Sequence, residues 1–196
     1  MTAGKPAPSR QMFNILTDLL PEKVTVDGEE CYMKTHFKRW IEFELIMTNP
    51  KLSDEIKLAA ILPLCFKKLP SDVEKAVKAC MKFYCGNVKG DRSSAKTNYS
   101  FLHDAELIYA AFMSQYGIDL SKENMHWYKF RALFKGLKSD NKISEVMQLR
   151  EMNLSEIKDA DMRRKYQKLK KFWELPDLRT DNEKEKEIVF AVEGLI

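Results

Sequence analysis

Glycine and proline are scarce, seven of each in 196 residues. Few positions are therefore suited to tight turns or bulges, and the composition tilts towards helix. Long apolar runs are missing as well. The longest candidate, AAILPLCF, falls short of the ~18 residues that a membrane span needs and is broken by Pro63. Cys31, Cys65, Cys80 and Cys85 include no CxxC pair, and no histidine stands at zinc-finger spacing from them. They read as small apolar residues of a reducing compartment, and the cytoplasm is the expected location. A phosphate loop, an HExxH motif and a dinucleotide fingerprint are all absent. The opening MTAGKPAPSR lacks the apolar core of a signal peptide, so residues 1–11 are expected to be a flexible tail.

What is present describes an ordinary globular chain, 44% hydrophobic and 32% charged, long enough for one large domain. A net charge of +4 is a mild basic bias that neither names nor excludes a nucleic-acid partner. In VTVDGEECYM, residues 24–33, Val24 and Val26 alternate before Asp27-Gly28, which predicts a small β-hairpin. HFKRWIEFELIMTN is apolar around most of its circumference and reads as a central helix. Ser53 caps the next helix, in which Pro63 is expected to produce a kink or a split. Ser71 or Asp72 opens a further helix that stops at Gly86 with a left-handed cap.

Residues 87–100, NVKGDRSSAKTNYS, carry no apolar period and predict a linker between two lobes of one helical domain spanning 12–176. Beyond it, helices are expected from about 104 and over 124–137, 143–152 and 155–174. The acidic segment 177–196 reads as a helical-looking tail. No internal repeat is visible. The fold class is mostly α, an irregular domain of about six to eight helices with one N-terminal hairpin.

DAELIYAAFMSQYGIDL, residues 104–120, and MHWYKFRALFKGL, residues 125–137, are the densest segments. In the first, Ala105, Ile108, Tyr109, Phe112 and Tyr116 share about a third of the helix circumference, which is a packing stripe. Asp104 and Glu106 point in different directions and cannot form the facing carboxylates of acid–base hydrolysis. Asp104 is expected in the first helical turn, where the dipole favours it. Glu106 stands at i,i+3 from His103, and Gly117 ends the helix. In the second segment Trp127, Phe130, Phe134 and Leu137 form another stripe, with His126 at its edge as a helix-start residue. His36, His103 and His126 lie on three separate segments, which leaves a metal site possible but with no motif to support it. No catalytic residue, cofactor or metal is expected.

MRRKYQKLKK, residues 162–171, holds Arg163, Arg164, Lys165, Lys168, Lys170 and Lys171 and no acid. Met162, Tyr166, Leu169 and Trp173 make its apolar stripe. Such a helix can be a packed helix with a solvated cationic face. It can also dock an acidic protein, contact nucleic acid or lie on a membrane surface.

The series LPSDVEKAVKACMKFYCG, DAELIYAAFMSQYGIDL, MHWYKFRALFKGL, EVMQLREMNLSEIK and YQKLKKFWELP resembles the bacteriophage "gene product fifteen" family from about residue 12 to Pro176. The most specific positions are Asp104, Ile108 to Phe112, Tyr116-Gly117-Ile118-Asp119-Leu120, His126-Trp127 and Lys129-Phe130. Phe83, Cys85-Gly86, Arg150 and Leu175-Pro176 continue the pattern in order. Members commonly carry two adjacent tryptophans where this chain has Trp127-Tyr128. The resemblance implies a small host-cytoplasmic protein of a long-tailed phage or prophage, encoded just before the tail tape measure protein. It implies no catalytic residues. The role implied is a tail assembly chaperone whose partner is the tape measure protein or another tail protein. Trp40, Trp127, Tyr128 and Trp173 are the aromatic anchor candidates, with the basic residues 163–171 beside them. A homo-oligomer is compatible with such surfaces. A small nucleic-acid-binding protein using the same basic helix is the alternative reading, and a structural component retained in the virion tail is a third.

Overall fold

The computed structural model describes residues 13–86 and 98–176. The expected tails 1–11 and 177–196, and residues 87–97 of the expected linker, lie outside the described residues. The fold is mostly helical. An antiparallel hairpin, β1 (Lys23–Val26) and β2 (Glu29–Tyr32), comes first. The helices follow in order: α1 (Phe37–Met47), α2 (Asp54–Cys65), α3 (Val73–Cys85), α4 (Ala105–Tyr116), α5 (Trp127–Lys135), α6 (Lys142–Glu151) and α7 (Ala160–Phe172).

The hairpin turns as its sequence predicts. Asp27 and Gly28 both take positive φ, 50° and 84°, so the two-residue turn matches the twist of its strands. Val26 points into the core while the opposite edge is solvated. The chain after α2 returns beside the hairpin, where Met33 bridges Phe66. Lys75 of α3 reaches across to Asp27.

Local chemistry sets most helix ends. The Ser53 hydroxyl accepts from the Ile56 N–H and the Asp72 carboxylate from the Lys75 N–H, each capping an orphan donor. Gly86 and Gly117 end α3 and α4 with φ of 65° and 66°. Gly117 is left-handed, but Gly86 has ψ −160°, outside the expected left-handed cap. Pro63 neither splits nor ends α2 at once. The helix runs through it to Cys65, and Ala59, whose carbonyl loses the proline's missing N–H, lies on the exposed side where water can serve it.

The segment expected as one helix over 155–174 is two elements. Asn153 caps a short 3-10 turn, Leu154–Glu156, and Asp159 then caps α7, accepting from the Met162 N–H at 2.7 Å.

One aromatic core joins the elements on either side of residues 87–97. Phe130 stacks on Phe37 and Phe112 with centroids 4.9 and 5.1 Å away, and Trp40 stacks on Phe83 at 4.7 Å. Val26, Met33, Ile61, Ala76, Cys80 and Ile143 close the cluster. The buried face of α4 is Ile108, Ala111 and Phe112, rotated from the expected stripe, with Ala105 and Tyr109 exposed.

Candidate functional site

His36 and His126 occupy equivalent places. Each is the N-cap of its helix, and each Nδ1 accepts from the backbone N–H two residues on, Lys38 at 3.2 Å and Tyr128 at 3.1 Å. The Nε2 atoms lie 3.2 Å from Glu123 O and 3.0 Å from Pro21 O. These partners match a ring that accepts at Nδ1 and donates from Nε2. Burial lowers the pKa of His126, with the Pro21 carbonyl opposing. The two helix starts also pair as an antiparallel bridge: Phe37 N donates to Met125 O at 2.9 Å, and Trp127 N to Thr35 O at 2.8 Å. The chain spells the underlying pattern twice, HFKRW and HWYKF, as histidine, aromatic, any residue, base, aromatic. That local repeat is the signal the sequence reading passed over.

Asp104 is a second built feature. It stands at the N-cap of α4, one place before the expected first turn, and makes no side-chain cap hydrogen bond there. Its carboxylate is instead 2% exposed and receives both Arg150 terminal nitrogens, at 2.6 and 2.9 Å, together with the Ser100 N–H at 2.8 Å. Arg150 also donates to Asn98 O and Trp173 O. A bidentate fork with two further donors directed at carbonyls is the arrangement in which a buried pair holds. One guanidinium thereby ties α6 to the start of α4, to the segment entering it and to the end of α7.

Three of the four aromatic anchor candidates lie inside, which corrects the expectation that they anchor a partner. Trp40 is 0% exposed, Trp127 2% and Tyr128 8%. The indole N–H groups donate to Lys34 O and Tyr84 O, both at 3.0 Å, and Tyr128 is sandwiched between Phe13 and Phe83. Stacking on every available face places them in the core because flat rings fill the space between crossing helices best. Trp173 is half-buried, with Lys142 over its ring at 5.6 Å.

The remaining motif residues are structural too. Tyr109 donates to Asp119, whose carboxylate also takes the Ser121 N–H and hydroxyl. These hydrogen bonds, with Lys122, hold its carboxyl well below the usual range. Tyr116 donates to Leu133 O across to α5. Glu44 is half-buried and bonds the Tyr84 hydroxyl, and burial raises its pKa. Among the described residues no buried side-chain nitrogen or oxygen lacks a partner.

Of the basic residues, Arg163, Arg164, Lys165, Lys168 and Lys171 are exposed, whereas Lys170 turns back to Met152 O at 2.6 Å. Elsewhere an open groove of about 970 Å³ runs beside the paired helix starts. Leu19, Leu20, Met125, His36, His126 and Arg39 are among its lining residues. Leu19 is 95% exposed and Leu16, just before it, 89%.

Among the described residues no three His, Cys, Asp or Glu side chains are grouped so as to hold a metal ion. No described helix is long and apolar enough to cross a membrane. The histidines, the buried ion pair and the indole N–H groups all serve packing, which defines a helical domain whose uncommitted chemistry lies at its surface. Residues 16–175 match the family described as Bacteriophage Gp15 protein, and the chain belongs to that phage family. No curated protein and no solved structure matches it.

Proposed function

We propose that this phage protein assists tail assembly in the host cytoplasm as a chaperone, holding the tape measure protein while the tail tube polymerises. The groove lined by exposed Leu19, with exposed Leu16 three residues earlier in the chain, carries the reading. A tape measure is a long, largely helical chain whose apolar stripes are hazardous in solution until enclosed. Helix-in-groove docking matches an apolar stripe to a groove of this kind, with leucines available to cover it.

Co-expression with segments of the tape measure protein tests the idea, scored by size-exclusion chromatography with light scattering. Several copies bound along an otherwise insoluble segment are expected, and Leu16→Glu with Leu19→Glu should abolish the complex without unfolding the chain. Failure across all segments overturns the proposal.

A further inference from the structure

The positive charge of this protein is concentrated in one helix. Six basic residues against Asp161 give α7 a net charge of +5, more than the +4 of the whole chain, so all other residues together sum to −1. None of the 13 residues of α7 is buried. Tyr166 and Trp173 are half-buried, while Met162 is 44%, Leu169 39% and Phe172 77% exposed. At about 100° per residue, Lys165, Lys168 and Phe172 line one flank, and Arg164 and Lys171 continue the cationic surface away from the Tyr166–Trp173 stripe. Among the described residues Lys165, Lys168 and Lys171 pair with no carboxylate. The Arg164–Asp161 contact, 3.8 Å between two exposed side chains, does little to neutralise the face.

We propose that this face of α7 docks an acidic amphipathic helix of a partner protein. Carboxylates on successive turns of that helix would meet Lys165, Lys168 and Lys171, and an apolar side chain would cover Phe172. The charge excess calls for a polyanion. The exposed Met162 and Leu169 favour a protein over nucleic acid, because a phosphate backbone gains nothing from thioether and aliphatic groups, whereas Phe172 could serve either partner. Carboxylates at both ends of α7, Asp159 at its N-cap, Asp161 in its first turn and Glu174 after it, limit the cationic field to roughly 20 Å. That length suits a few turns of a partner helix and opposes a longer polyanion. No residue of α7 lines the groove of the preceding reading, so the two interfaces succeed or fail separately.

Fluorescence anisotropy on the full chain provides the test. The probes are a labelled synthetic helix with glutamates on successive turns beside a Leu/Phe stripe, its Glu→Gln analogue, and a short single-stranded oligonucleotide. The glutamate peptide is expected to bind about tenfold more tightly than the glutamine analogue, the combined effect of several exposed ion pairs. Phe172→Ala should weaken it by about tenfold, as loss of an aromatic anchor does. Reversing Lys165, Lys168 and Lys171 to Glu should abolish it. All four side chains are exposed, so circular dichroism should show the fold retained. Equal binding of the two peptides, or none of either, overturns the proposal. Tighter binding of the oligonucleotide overturns it in favour of nucleic acid. Cross-linking of Lys168 to carboxylates of residues 177–196 in the unbound chain would assign the face to the chain's own segment and also overturn it.

Discussion

Replacing Arg150 by Met should be among the most damaging single changes to the fold. Methionine fills much of the same volume but leaves the Asp104 carboxylate, 2% exposed, with the Ser100 N–H as its remaining donor. It also strips Asn98 O and Trp173 O of their guanidinium bonds. Removing one partner of a buried ion pair costs about 3–5 kcal/mol, because the other charge stays in a medium that cannot solvate it. In a protein of this size each kcal/mol lowers Tm by about 2–4 °C, so a drop of about 6–20 °C is expected. The partner variant separates charge from packing. Asp104→Leu combined with Arg150→Met removes both charges and should be more stable than Arg150→Met alone, with a coupling of about 2 kcal/mol or more. Urea unfolding followed by far-UV circular dichroism gives all four corners of the cycle. A cost below about 1 kcal/mol for Arg150→Met, or strict additivity, would refute the assignment of this pair as a structural tie.

Burial lowers the pKa of His126, so the unfolded chain takes up the proton first. Its contribution to stability is complete above the ordinary value of 6.5 and is lost as pH falls from there through the lower folded value. His126→Asn retains a capping oxygen, and its urea midpoint should show a shallower decline over that window. Glu44 behaves in the opposite sense, since burial raises its pKa and the folded chain holds the proton to higher pH. Stability should decline as pH rises above 4.5 through the raised folded value, and Glu44→Gln should remove that decline and unfold at higher urea at neutral pH. Gly117→Ala meets no atom within 4 Å and should cost only the left-handed backbone term, about 1 kcal/mol. Gly86→Ala should cost more in the same assay. Its φ and ψ lie where essentially only glycine goes, which sets the cost, since the Arg131 guanidinium 2.6 Å from an added Cβ is the end of a flexible side chain that can shift.

The parts of this fold that could be read from the chain are those whose cause is local. Asp27-Gly28 makes its turn because of torsions belonging to those two residues, and Ser53 and Asp72 cap helices that begin beside them. The mostly helical class follows from the same short-range period. Long-range pairing left weaker marks. Asp104 and Arg150 both stood in the recognised pattern, yet nothing local relates an acid before one helix to a base on another, and the dipole explanation for Asp104 was the nearer one. The aromatic anchors failed for a related reason. Periodicity shows that Trp40 and Trp127 lie on helical stripes, but which stripe faces the core depends on the crossing of α1 with α5. Of the basic helix, the exposure of five cations was readable from composition, whereas the return of Lys170 to Met152 was not.

The bridge between the two histidine-capped helix starts sets an order of events during synthesis. Phe37 N needs Met125 O, and Thr35 O receives Trp127 N, so α1 emerges from the ribosome long before its partner exists. At about 5–20 residues per second, the interval between completing α1 and completing this pairing is about 4–16 s. Through that interval Trp40 and Phe43, buried in the finished molecule, belong to a nascent chain without Phe130 or Trp127 to cover them. The finished molecule covers these rings with its own later helices, but while it is being made it is a chain that needs shelter.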